Sequence, residues 1–188
     1  MSKRLTMIMF IAGVGLGLAA CHRTEPTVVA PKPQLSQSDK DFINQAEAVD
    51  VQERTVAKLI KEKSRNKELK KYADTMESVH SAALQKLAAV AKKYDMNVDP
   101  AASVAQSDTV NEFKYLSGNN LDVHFVDLVI QDHQKDVGLF QQEARWAKTN
   151  DLRDYANQTL PTLETHLKQA EQLQAQLDHP RKERTRRR

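Results

Sequence analysis

Four stretches of the chain carry apolar residues at alternating three- and four-residue steps, the spacing that puts side chains on one face of an α-helix. The first runs through Phe42, Ala46, Val49, Glu53, Val56 and Ile60, and the second through Leu69, Ala73, Met76, His80, Ala83, Leu87, Val90 and Tyr94. The third is Val126, Val129, His133, Val137, Phe140, Ala144 and Ala147; the fourth is Leu152, Ala156, Thr159, Leu163, His166, Ala170, Leu173 and Leu177. From residue 38 to residue 99 there is neither glycine nor proline, and Ala, Leu, Lys, Glu and Gln dominate, all good helix formers. The pattern predicts an all-α fold of four helices. Each seam carries one side chain able to ligate a metal, Glu53, His80, His133 and His166 in turn.

The boundaries follow from capping residues. Ser38 with Asp41 three positions later predicts the start of the first helix, and Asn66 that of the second, which extends to about Met96. The short link around Ser64 to Asn66 makes these two antiparallel neighbours. Residues 97–120 form a longer connection containing an amphipathic piece, Val110, Phe113, Tyr115 and Leu116; it can fold back locally or run the length of a bundle. The third helix begins after Asn120 and ends near Lys148, and Asn150 caps the fourth, in which Pro161 predicts a bend. The bundle domain is thus 38–178.

These four residues matter because they fall at similar heights. With the first turn near residue 65, Glu53 lies 12 residues before it and His80 lies 15 after, a difference of about one helical turn at roughly 1.5 Å per residue. His133 and His166 are equidistant from a turn between residues 149 and 150. Three imidazoles and a carboxylate suit one divalent transition metal, Zn, Cu, Ni or Fe, with Glu77, Asp132, Asp136 and Glu164 as outer-shell partners. The same residues also suit a metal-free hydrogen-bonded network that fixes helix register in a structural or interaction module.

A metal-dependent oxidase is a third reading. In di-iron bundles two helices each give a Glu and two each give Glu-x-x-His. Glu53 and Glu77/His80 conform, but the third helix offers His133 with Glu143 nearly three turns away, and the fourth has Leu163 three residues before His166. The incomplete pattern argues against an enzyme. No Cys-x-x-Cys-His, glycine-rich phosphate loop or Ser/His/Asp arrangement occurs. His22, His124 and His179 lie off the seams, and Phe140 and Trp146 read as core or rim packing.

The N-terminal region adds a location. Lys3 and Arg4 precede an apolar run from Leu5 to Leu18, too short for a comfortable membrane span and of the form of a secretory signal over residues 1–20. Leu18-Ala19-Ala20-Cys21 resembles the bacterial lipobox, which implies lipidation at Cys21. In lipoproteins of this kind an Asp after the cysteine favours inner-membrane retention; His22 stands there, so the expected place is the outer membrane, facing the periplasm. Residues 21–37, with Pro26, Pro31 and Pro33, read as an extended tether. Cys21 is the one cysteine, so disulfides and cysteine catalysis are excluded from the folded part.

Charge is uneven. Arg181 to Arg188 holds six basic residues against Glu183, a local +5, and Lys3 and Arg4 contribute +2, so the formal net charge of +3 leaves −4 for the rest. A mildly acidic domain does not make nucleic acid a natural partner; residues 179–188 read as a basic arm for an anionic envelope surface.

The signal and tether, the His80 helix, the long connection, the Asp132-His133 helix and the Leu160-Pro161 helix bearing His166-Leu167 together resemble the bacterial domain-of-unknown-function family numbered forty-one forty-two. Its members are described as predicted outer-membrane or ferritin-like proteins. Over roughly Asp39 to Leu177 the resemblance implies a ferritin-like four-helix bundle with a long connection between helices 2 and 3, and it supplies no known activity.

Overall fold

The computed structural model describes residues 34–102 and 107–178. Cys21, the tether up to residue 33 and the basic arm from residue 179 lie outside the described residues. The described residues form helices α1 (Gln37–Lys63), α2 (Lys67–Lys92), α3 (Asp108–Tyr115), α4 (Gly118–Trp146) and α5 (Asn150–Asp178), and contain no strand. None of these helices is long and apolar enough to cross a membrane.

Capping chemistry sets the ends. A Ser-x-x-Asp box occurs twice in overlap, at Ser36/Asp39 and Ser38/Asp41, and α1 uses the earlier one. The reason is tertiary. Asp39 is fully buried, accepts from Ser36 N at 2.9 Å, and also receives the Lys148 N–H of the α4–α5 link at 3.2 Å. Asp41 instead takes a hydrogen bond from Gln37. Asn66 caps α2 as expected, its side chain accepting from Glu68 N and Leu69 N. At its far end Asp95 adopts a left-handed φ of 59°, with Met96 N donating to Ala91 O and Asp95 N to Lys92 O, the pairing of a Schellman motif. The start of α5 is served by Thr149 rather than Asn150, since Leu152 N donates to the Thr149 hydroxyl. The α5 helix continues unbroken through Pro161.

The described parts of the long connection lie along α1 between Glu47 and Lys63. Glu47 accepts from Asp99 N, Arg54 donates to the carbonyls of Pro100 and Ala102, and Lys63 donates to those of Phe113 and Lys114. These contacts ascend α1 in the order of the connection, so α3 packs beside the end of α1 remote from residue 37. Gly118, with φ +58°, turns the chain into α4. Contacts from Glu53 to His133 and from Asp39 to Lys148 make α4 antiparallel to α1, and Tyr94 to Asp151 with Tyr72 to His166 makes α5 antiparallel to α2. The order is therefore up, down, crossover, down, up, the ferritin-like topology.

Two apolar clusters fill the bundle, one around Phe42, Leu84, Leu87, Phe140, Leu152 and Tyr155, the other around Ile60, Leu69, Met76, Leu121, Phe125 and Val129. Phe140 lies in the core, packed edge-on against Phe42 at 5.0 Å. Trp146, read above as core or rim, is 72% exposed because it projects off the seam on the last turn of α4, next to buried Ala147.

Glu143 is buried beside Asp39, and burial, then the Asp39 charge, push its carboxyl up to about 7 from 4.5. The folded chain keeps that proton to about pH 7 whereas the unfolded chain releases it near 4.5, so this group's contribution to stability falls as pH rises between the two. Glu143→Gln should raise stability at pH 8 by about 2 kcal/mol and leave it unchanged at pH 4, measured by urea unfolding against the parent at both pH values.

Candidate metal centre

Between the two apolar clusters every helix of the four-helix bundle presents an ionisable side chain inward. From α1 come Asp50 and Glu53, one helical turn apart; α2 gives His80, α4 gives His133 and Asp136, and α5 gives His166. All six are buried, His133 completely and Glu53 to 1% exposure. The three imidazole rings form a near-equilateral triangle, with centroids 5.6 Å apart for His80 and His133, 5.9 Å for His80 and His166, and 5.5 Å for His133 and His166.

Hydrogen bonding makes the two faces of His80 different. Its Nδ1–H donates to Asp50 Oδ1 at 2.6 Å, which aims Nε2 at the middle of the bundle. Nε2 lies 2.7 Å from Glu53 Oε2, and His133 Nδ1 lies 3.1 Å from Glu53 Oε1. Neither approach has hydrogen-bond alignment. Both Glu53 oxygens, His80 Nε2, both His133 nitrogens and His166 Nδ1 are buried without a hydrogen-bond partner. Glu53 is nevertheless ion-paired with His80 and His133, so His133 Nε2 and His166 Nδ1 are the atoms of this group with neither a hydrogen bond nor an ion pair, and an orphaned buried polar group costs about 1–3 kcal/mol.

Electrostatics follow from this packing. Burial opposes charge on His80, but Glu53 and Asp50 outweigh it and raise the imidazole to about 10. Burial alone would push Asp50 and His80 both toward neutrality; the 2.6 Å contact together with Glu53 decides for charge on the ring. Burial likewise opposes ionisation of Glu53, yet His80 and His133 hold it well below the usual carboxylate range. His166 is driven the other way, down to about 4, by burial and then by its electrostatic interaction with His80 and with His133. Burial, then the Glu53 charge, lift Asp136 to about 7. With no ion present, a proton on His80 supplies the positive charge of the centre.

The donor set fits a transition ion. Ligand atoms of His80, His133 and His166 all lie within 4.8 Å of one another, and so do those of Glu53, His133 and Asp136. A tetrahedral ion with bonds near 2.0–2.1 Å needs its ligands about 3.4 Å apart, so modest ring rotations would close the set. Asp50 supplies what a metal-bound imidazole usually has, a carboxylate on its other nitrogen.

Four of the residues expected from sequence, Glu53, His80, His133 and His166, are thus brought together. The outer-shell expectations divide. Asp136 stands at the centre, whereas Asp132 is half-buried at its edge, accepting from Gln52 and lying 3.2 Å from Lys135. Glu77 faces away, taking Lys61 at 2.9 Å, and Glu164 is on the exposed face of α5. Asp50 was missed, although it lies 15 residues before residue 65 as His80 lies 15 after. Its signal was the buried row Ile43, Ala46, Asp50, Glu53, Ala57 and Ile60, which alternates three and four as the Phe42 row does. Exposed His124 lies away from the centre, bonding Asn120 O in its own turn and facing Glu112 at 3.8 Å.

Fold and centre together define a ferritin-like helical bundle with a buried Glu/His group. The chain belongs to the family described as Domain of unknown function (DUF4142), whose pattern matches residues 24–173. No curated protein matches the chain. Among solved structures it is similar to a DUF305 fragment from Deinococcus radiodurans, at 15% identity and a TM-score of 0.66, covering 77% of this chain and 99% of that one. It is also similar to a putative secreted DUF305 protein from Streptomyces coelicolor, at 11% identity and a TM-score of 0.65, covering 75% and 92% of the two chains. At these identities the likeness is one of fold.

Glu53→Gln should destabilise the chelator-treated protein by about 3 kcal/mol in urea unfolding, because it leaves a buried imidazolium without its anion. His124→Ala, on the exposed side of α4, should stay within about 0.5 kcal/mol of the parent.

Proposed function

We propose that the protein is a metal-binding lipoprotein of the cell envelope, whose bundle holds one divalent transition ion, Zn, Cu, Ni or Fe, on His80, His133, His166 and Glu53. The observation that carries the reading is the set of buried nitrogens and oxygens facing one another without aligned hydrogen bonds, with Asp50 holding Nδ1 of His80 so that Nε2 points inward. Asp136, whose ligand atoms lie within 4.8 Å of those of Glu53 and His133, offers the ion a further carboxylate. When bound, such an ion supplies a Lewis acid or, for Cu and Fe, a one-electron couple. The chain's own contribution is to hold four neutral or anionic donors in a site from which bulk water is excluded.

Saturating metal should raise the unfolding midpoint of the full chain. At a hundred times Kd the gain is about 2.7 kcal/mol, or roughly 5–10 °C for a domain of this size. His133→Ala and His166→Ala should abolish the rise and His124→Ala should keep it. Binding must displace the proton that His80 holds, so affinity should fall with each step down in pH through the neutral range. A second reading has its own support, the Asp50–His80–Glu53 ion pairing that exists without any metal. It wins if no metal moves the midpoint while each seam histidine change still destabilises the protein.

The envelope location rests on Cys21, for which lipidation is proposed from the Leu18-Ala19-Ala20-Cys21 sequence. Each buried lipid methylene contributes about 0.8 kcal/mol, so two or more chains anchor firmly. Cys21→Ser should move the protein from the membrane to the soluble envelope fraction; sedimentation with membranes despite the change would defeat the proposal. The basic arm, Arg181 to Arg188, would then lie against an anionic surface of the envelope.

A further inference from the structure

A cavity of about 20 Å³ adjoins the centre on the side of the Phe42 and Phe140 cluster. All four bundle helices wall it. Asp50, His80, Asp136 and His166 face it from the polar layer, and small side chains, among them Ala46 and Ala83, leave the space open. Its volume exceeds the roughly 10–15 Å³ that a single water needs. Apolar cavities of this size stay dry; this one has a mostly apolar wall, but two of its lining residues carry unmet polar capacity, since Asp50 Oδ2 and His166 Nδ1 are buried and have no hydrogen-bond partner. Val79, Ala83 and Thr162 are only half-buried, so the wall toward α2 and α5 is thin.

The cavity touches two of the three imidazoles, His80 and His166, and neither His133 nor Glu53. A ligand inside it would therefore approach an ion held by the centre along the His80–His166 edge, opposite the side that Glu53 and His133 close. We propose, resting on the metal reading above, that this cavity is the seat of one exchangeable ligand of the metal, a water or hydroxide that a small anion can replace. The exchangeable ligand is then a fifth donor beside His80, His133, His166 and Glu53, so the centre can expand beyond the four protein ligands instead of being closed by them. Asp50 and Asp136 give the bound water two carboxylates to which it can donate. Ala83, three residues after His80 on the same helix, is the residue whose small size keeps the seat available.

The test loads the full chain with Co(II), whose visible bands report coordination number, and titrates azide as the exchangeable ligand. Saturable change of the Co(II) bands is expected in the parent, with azide displacing water and no redox step. Ala83→Leu should bind Co(II) in the same stoichiometry while losing about tenfold or more in azide affinity, because the added side chain fills the seat. Ala83→Val is the smaller substitution should the leucine variant fail to fold. Bound Co(II) whose spectrum ignores azide would overturn the proposal and leave the metal reading standing. Azide binding undiminished in a folded Ala83 variant would also overturn it, by placing the ligand elsewhere. Absence of Co(II) binding would overturn both.

Discussion

Glu53 is a buried carboxylate placed between two imidazoles, and the rest of the bundle is arranged to make that tolerable. Removing an ion from water costs several kcal/mol even after relaxation, so a charge at 1% exposure persists only where opposite charge is held against it. His80 and His133 approach it at 2.7 and 3.1 Å from two different helices, and Asp50 holds His80 from behind. Sliding any of these helices by one turn, about 5.4 Å, would strip Glu53 of a partner. The polar layer thereby fixes register, which two apolar clusters packed above and below it would not do alone.

That constraint explains the division of the core. Along α1 one cluster ends at Val51 and the other begins at Val56; along α5 the changeover lies between Leu163 and Ala170. Each half is ordinary close packing of Leu, Val, Phe and Ala. The layer between them is where packing is imperfect, with unpartnered polar atoms and a small cavity. Most of the buried polar atoms without an aligned hydrogen bond fall in this layer, while Asp122, Glu143 and Tyr155 each carry one elsewhere.

The crossover is the second constraint. Its described parts, which bury Val98, Val110 and Phe113 in the core, are tied along α1 by the side chains of Glu47, Arg54 and Lys63 bonding to backbone groups. Half-buried cations that would otherwise need partners find them in carbonyls, and the strap in turn lets α2 and α4 run in the same direction. The fold shared with the DUF305 structures is consistent with this topology, at identities too low to carry a function across.

The seams of the four long helices, the Asn66 cap and the four inward residues could be read from the chain because they follow from helical periodicity alone. Midpoints of paired helices meet whichever way the connection runs, so Glu53, His80, His133 and His166 were expected together without knowledge of its path. Other features needed tertiary structure. Whether Ser36 or Ser38 begins α1 was decided by the Lys148 amide, more than a hundred residues away, choosing Asp39. Glu77 and Asp50 each had the spacing to stand behind His80; the packing angle of α1 against α2 turned Glu77 out to Lys61 and brought Asp50 in. Periodicity specifies which face of a helix is buried, and only the packing of helices specifies which atoms on that face touch.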